Sequence, residues 1–170
     1  MSICDHSTIR PVTTDDLAPI ARLHEQAFGP GRFARTAYRI REGAPAISPA
    51  CRVTIVDDRL IAAVGMTEIT IGGTAGAYLL GPLVVAPAMS GRGHGRALVR
   101  TALGAARDAG SQLVLLVGDL AYYGHAGFAP VEPGRITLPG PVDPARLLAA
   151  ELVSGAGRLF VGTVRTARVW

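Results

Sequence analysis

The stretch Leu79–Ala97, LLGPLVVAPAMSGRGHGRA, passes from an apolar run through a proline-bearing turn into three glycines at alternate positions, then into helix-forming residues. The apolar run predicts a buried strand, and the residues after Gly95 predict a helix. Gly91, Gly93 and Gly95 lack a Cβ, so the backbone between the two elements can approach a ligand closely and turn its N–H groups outward. Those groups lie at a helix N-terminus, where unpaired donors and the positive end of the helix dipole favour an anion. A strand that delivers such a loop is a device for holding phosphate.

Spacing decides which phosphate. A Walker A loop needs G-x-x-x-x-G-K-S/T, and this chain contains no lysine. A dinucleotide fingerprint needs G-x-G-x-x-G, and from Gly91 or Gly93 the third glycine falls in the wrong place. The remaining pattern is R/Q-x-x-G-x-G/A behind a V-x-P strand end, which resembles the coenzyme A pyrophosphate loop of acetyltransferases. Val85-Ala86-Pro87 and Ser90-Gly91-Arg92-Gly93-His94-Gly95 match it, with Ser90 where Arg or Gln is usual. A glycine loop with a purely structural duty is the alternative.

A second segment points the same way. Gln112–Val117, QLVLLV, is a continuous apolar run suited to a strand buried on both faces. Gly118-Asp119 follows, with Asp119 placed to cap a short helix bearing Ala121, Tyr122 and Tyr123. Then comes His125-Ala126-Gly127-Phe128-Ala129-Pro130. From Ile9 to about Phe128 the chain resembles the GNAT superfamily of N-acetyltransferases, in which a coenzyme A loop is followed by a strand, a short helix and a Y-x-x-x-G-F ending. The pairing of L-G-P-L-x-V-x-P with G-D-x-x-Y-Y-x-x-x-G-F is similar to one bacterial branch of that superfamily.

The resemblance implies a mixed α/β fold: a central, mostly antiparallel sheet, splayed between two central strands and flanked by helices. It implies acetyl-CoA as co-substrate and a primary amine of a small molecule or peptide as acceptor. Backbone N–H groups of Gly91–Gly95 would hold the pyrophosphate, with Ser90 and His94 in the same loop and Arg92 as a charge-assisted partner. Arg96 or Arg100 would meet the other phosphate or sit in water. Leu83, Val84 and Val85 are the candidates for the backbone donor that polarises the acetyl carbonyl, since Pro82 has no N–H. Tyr123, four residues before Gly127, takes the place of the family tyrosine that protonates the leaving thiolate; a phenol and an alkyl thiol have similar proton affinities. The alternative for a tyrosine here is a core residue capping the sheet, which better suits Tyr122. The strand before the loop carries no carboxylate. Glu68 on the adjacent strand acting through a water, His125, and His24 or Glu25 are the candidate bases, and direct attack without one is compatible with the chemistry. Phe28, Phe33 and Tyr38, with the arginines from Arg32 to Arg41, are the candidate acceptor-pocket lining. An acyl-CoA-sensing module without turnover is the rival reading, and a homodimer is compatible with the family.

Composition agrees with one globular domain spanning 1–170, with 1–7 expected to be flexible. The 170 residues are 49% hydrophobic and 18% charged, enough to bury a substantial core. The formal net charge of +4 permits an anionic partner. No aromatic-basic pattern accompanies it, so nucleic acid is not expected. Cys4 and Cys51 have neither C-x-x-C spacing nor a histidine at ligand spacing, so no metal site or disulfide is expected. No apolar run approaches membrane-spanning length and the N-terminus lacks a signal-like apolar segment, which predicts a cytoplasmic location.

Along the rest of the chain, patterning predicts a strand at 8–12 and a helix from Thr14 to Phe28, stopped by Gly29-Pro30-Gly31. A second helix over 33–41 and strands at 48–57 and 60–71, joined by Asp57-Asp58-Arg59, follow. Gly81-Pro82 inside the strand 77–85 predicts a bulge or a local divergence. Beyond Phe128 the chain is proline-rich, and 146–153 and 159–169 read as late strands that could pair as a hairpin, with LLAAEL equally readable as helix.

Overall fold

A computed structural model describes residues 6–29 and 36–167. The strands are β1 (Ser7–Pro11), β2 (Arg52–Val56), β3 (Arg59–Ile71), β4 (Thr74–Val85), β5 (Leu113–Val117), β6 (Ala129–Pro130), β7 (Ile136–Thr137), β8 (Leu147–Glu151) and β9 (Gly162–Thr166). The α-helices are α1 (Leu17–Phe28), α2 (Thr36–Arg41), α3 (His94–Asp108) and α4 (Leu120–Tyr123). The main sheet runs β1-β2-β3-β4-β5-β8-β6, and β9 bridges the far end of β3 to β7. Pairing is antiparallel throughout except for β4 with β5 and β7 with β9.

Alternation along the strands sends side chains to opposite faces, and helices cover both. On one face Leu98, Val99, Ala102, Leu103 and Ala106 of α3 recur at helical spacing and pack on Val64, Tyr78, Leu80, Val114 and Leu116. On the other, Leu23 of α1 meets Val53, Ala63 and Val84, while Ile40 of α2 and Phe160 meet Ile69, Ile71, Leu79 and Leu115. β5 is buried on both faces, as its unbroken apolar run predicts.

β8 explains why LLAAE is a strand in spite of its helix-favouring residues. Leu147 and Ala149 point into one cluster, Leu148 and Ala150 into the other, and β8 supplies the partner that β5 needs. Tertiary burial overrides propensity here. The two late strands do not form a hairpin: β8 lies between β5 and β6, and β9 pairs with β3 and β7.

The entry into α1 is held by an ion pair. Asp16 accepts from both terminal nitrogens of Arg10 at 2.7 and 2.9 Å and from the Thr13 N–H and hydroxyl at 2.8 and 3.1 Å, tying β1 to α1. These donors, the Arg10 hydrogen bond foremost, lower the Asp16 pKa to about 2 from its usual 3.8. A depressed carboxylate pKa contributes stability above the unfolded value and loses it as pH falls through the folded one. Asp16→Asn is therefore expected to lower unfolding free energy at pH 7 by about 2 kcal/mol and to leave little difference from the parent at pH 2. Urea titrations at the two pH values measure it; an equal deficit at both would refute the assignment.

Candidate active site

The site begins where two central strands part. β4 pairs with β5 only from Ala77 to Leu79, opposite Leu113–Leu115. Gly81-Pro82 comes next on β4, and Pro82 brings no N–H to a ladder. On the other edge, the β3–β4 register jumps between Met66↔Leu80 and Val64↔Leu83, leaving Gly81-Pro82 as a bulge opposite Gly65. A Cβ on Gly65 would lie 2.7 Å from the Gly81 carbonyl oxygen, so the bulge requires glycine there. The bulge against β3 and the divergence from β5 are the same feature.

A cavity of about 830 Å³ fills the opening. Leu80–Leu83 and Val85 of β4 form one wall, and Val117, Gly118 and Asp119 beyond β5 the opposite one. Phe28 at the end of α1, Ala37, Tyr38 and Arg41 of α2, both tyrosines of α4, and Pro141–Asp143 with Arg146 complete it. Phe28 and Tyr38 both line this cavity; Phe33 lies outside the described residues. The wall supplied by 141–146 was not legible residue by residue. Its only signal was the proline-rich composition after Phe128.

Of the three candidate backbone donors on β4, two face the opening. The Ala86 N–H donates to the Ile61 carbonyl at 2.7 Å, and alternate residues of an antiparallel strand point the same way. The Val84 N–H therefore faces β3, opposite Ala63. Those of Leu83 and Val85 face the side that β5 has left, and both residues line the cavity.

Tyr123 reaches the same space from α4. Its ring packs edge-on against Tyr122 at 4.8 Å and Phe128 at 5.9 Å, and its hydroxyl makes no hydrogen bond among the described residues. Burial, with smaller contributions from Tyr122 and Asp119, pushes its pKa up to about 12, so the phenol stays protonated across the physiological range. Tyr122 is not the core tyrosine: it is the more exposed of the two, with Arg96 5.7 Å from its ring centroid. Asp119 occupies the N-cap position of α4 but makes no side-chain cap; its carboxylate pairs with Arg146 at 3.3 Å.

The glycine loop adjoins Val85 and Tyr122. Gly91 and Gly93 have φ of +76° and +85°, a region other residues rarely enter, and a Cβ at either would meet nothing within 4 Å. Their role is backbone shape rather than packing, which leaves the surface above the first turn of α3 open. The Gly93 carbonyl accepts the first helical bond, from Ala97 at 3.1 Å, so the N–H groups ahead of Ala97 have no partner within the helix. Ser90, Gly91, Arg92 and Gly93 are exposed, and the His94 Nε2 is enclosed without a hydrogen-bond partner. This arrangement fits a pyrophosphate. Two loop residues differ from expectation. The Ser90 N–H is spent on the Pro87 carbonyl at 3.3 Å, so only its hydroxyl is available. Gly95 is buried, and a Cβ there would collide with the Tyr122 hydroxyl, so its glycine seats α4 against α3.

None of the candidate bases lines the cavity. Glu68 sits opposite Tyr78, before the strands part, accepting from the Tyr78 hydroxyl at 3.3 Å and lining a separate small pocket. His24 lines another recess, and Glu25 and His125 are exposed and do not line the opening. The carboxylates that do line it, Asp119 and Asp143, are both engaged, Asp143 accepting from the Ala145 N–H at 2.9 Å.

Residues 8–131 match the family model described as an acetyltransferase (GNAT) domain. Over 128 residues, 74% of this chain and 71% of the relative, the sequence is 27% identical to the uncharacterized N-acetyltransferase YjhQ of Escherichia coli K12. The fold is similar to that of the E. coli GNAT family N-acetyltransferase YhbS, solved in complex with CoA. The TM-score is 0.83 at 22% identity, covering 98% of this chain and 92% of that one. A Brucella melitensis GNAT acetyltransferase solved with acetyl-CoA gives a TM-score of 0.64 at 29% identity, covering 87% of this chain and 97% of that one.

Proposed function

This chain belongs to the GNAT acetyltransferase family, and from that premise we propose that it transfers an acetyl group from acetyl-CoA to a primary amine of a small molecule or peptide. The observation that carries the reading is the parting of β4 from β5 at Gly81-Pro82, which opens onto Tyr123, with the glycine loop adjoining Val85 and Tyr122 beside it. Acetyl-CoA supplies an activated thioester carbonyl. Gly91 and Gly93 shape the turn that receives its phosphates at the head of α3, with Arg92, His94 and Arg96 alongside. The N–H groups of Leu83 and Val85 face the opening and stabilise negative charge developing on the carbonyl oxygen. The acceptor nitrogen forms its bond to that carbon, the carbon–sulfur bond breaks, the Tyr123 hydroxyl gives its proton to the departing sulfur, and the nitrogen releases one proton to water, from which the Tyr123 oxygen recovers its own. With no free carboxylate or imidazole lining the opening among the described residues, the amine enters already deprotonated, its proton having gone to water. Glu68 has no part in this reading.

Calorimetric titration with acetyl-CoA and CoA, followed by an amine panel read by thiol release, tests it. Micromolar binding of acetyl-CoA and release with at least one amine are expected. Failure to bind either compound overturns the proposal. Binding with no release from any amine would favour the acyl-CoA-sensing module instead.

A further inference from the structure

Arg41 stands apart from every other arginine described. Its Nε is wholly enclosed without a hydrogen-bond partner, as is that of Arg135, but Arg135 pairs with Glu132 whereas the Arg41 guanidinium makes neither an ion pair nor a side-chain hydrogen bond among the described residues. Desolvation lowers its pKa to about 10, so it is still a cation at neutral pH. Taking an arginine out of water without an anionic partner is unfavourable, and proteins rarely leave such a group uncompensated. The Tyr38 ring, 5.4 Å from the guanidinium carbon, offsets only part of that penalty.

Its position is held firmly. Ile40 beside it is buried in the core, and the Ile40 carbonyl accepts from the Thr166 hydroxyl of β9. The Arg41 carbonyl accepts from Ala44 at 3.0 Å, closing the end of α2. The guanidinium then lies against the bulge: a Cβ on Gly81 would be 2.8 Å from Nη2. Arg41 therefore lines the acceptor side of the large cavity, next to the point where β4 and β5 part. The acidic groups of that cavity are spoken for, Asp119 by Arg146 and Asp143 by its own turn. Nothing among the described residues supplies the missing anion, and the large cavity, with the smaller recess that Arg41 also lines, is where one can enter.

We propose that Arg41 is the specificity determinant for the acceptor, and that the acceptor is an amine carrying a carboxylate, an amino acid or a close derivative, whose carboxylate is bound by the Arg41 guanidinium. The inference rests on the acetyltransferase reading above. The planar guanidinium suits two parallel hydrogen bonds to a carboxylate. A site built around such a group discriminates strongly against analogues lacking the anion, because the arginine is then left unpaired.

The test is titration of the CoA-loaded protein with the N-acetyl derivatives of alanine, leucine, phenylalanine and glutamate, each against its carboxamide. At least one acid should bind about 30-fold or more tighter than its amide. Arg41→Met, similar in length but uncharged, should reduce that preference to within about 3-fold while leaving acetyl-CoA affinity and melting temperature nearly unchanged. Arg41→Lys should keep part of the preference. Equal binding of acids and amides by the parent protein overturns the proposal, as does a preference that survives in Arg41→Met. So does the absence of binding by every acid while acetyl-CoA still binds. The parent comparison decides the matter even if the methionine variant fails to fold. Loss of acetyl-CoA binding by the parent would instead refute the acetyltransferase reading.

Discussion

Tyr123→Phe is expected to lower kcat by about 10²–10⁴-fold while changing acetyl-CoA affinity by less than 3-fold. The substitution deletes one oxygen and keeps the ring, so the edge-on contacts with Tyr122 and Phe128 survive. Because the hydroxyl has no hydrogen-bond partner among the described residues, its loss strands no donor or acceptor there. A purely structural tyrosine would show the reverse pattern: little effect on turnover and a lowered melting temperature. Steady-state kinetics, calorimetry and thermal unfolding on the same variant separate the two. The raised pKa of Tyr123 adds a pH signature. An acid acts while protonated, so a pKa of about 12 moves the loss of its proton above the assay range. The rate should climb with pH as the acceptor amine deprotonates and show no falling limb below about pH 11. A falling limb near pH 10 that vanished in Tyr123→Phe would mean the phenol titrates normally.

Gly93→Val is expected to weaken acetyl-CoA binding by at least 100-fold. A β-branched residue resists the φ of +85° that Gly93 adopts, so the loop must take another shape. Loss of two charge-assisted hydrogen bonds from a displaced turn, at about 1.5–3 kcal/mol each, accounts for an effect of that size. The fold itself should tolerate the change, since the new Cβ meets no neighbour within 4 Å. Gly93→Asn is the informative control, because asparagine enters the left-handed region more readily. It should recover most of the affinity. Undiminished binding by Gly93→Val would remove the loop from the coenzyme site.

These expectations rest on features legible to different degrees in the chain. The strand–loop–helix of 79–97 and the strand–helix of 112–123 could be read directly, because each depends on local chemistry. Apolar runs, glycines at a turn and a helix start all act over a few residues. Gly81-Pro82 could be read as a disturbance but not as a cavity, since its effect depends on what β3 and β5 do beside it. LLAAEL was ambiguous because residue preference favoured one structure and burial on two faces enforced the other.

The site divides along the same line. Tyr123 and the glycine loop, the residues proposed for the chemistry, stand out in the sequence because each sits in a short motif. Glu68 was placed among the bases because it lies on the strand next to the right one, yet the pairing sets it opposite Tyr78, before the strands separate. Arg41 was one arginine among several on a helix with a polar face. Only folding showed that it is enclosed against Gly81 without a counter-charge among the described residues. The sequence by itself determined the family and singled out the glycine loop and the tyrosine proposed for the site, all written in contiguous residues. Tertiary structure alone decided which amides face the opening, which acids are already paired and which cation is left alone. Each of those depends on neighbours distant in the chain, and no local pattern carries them.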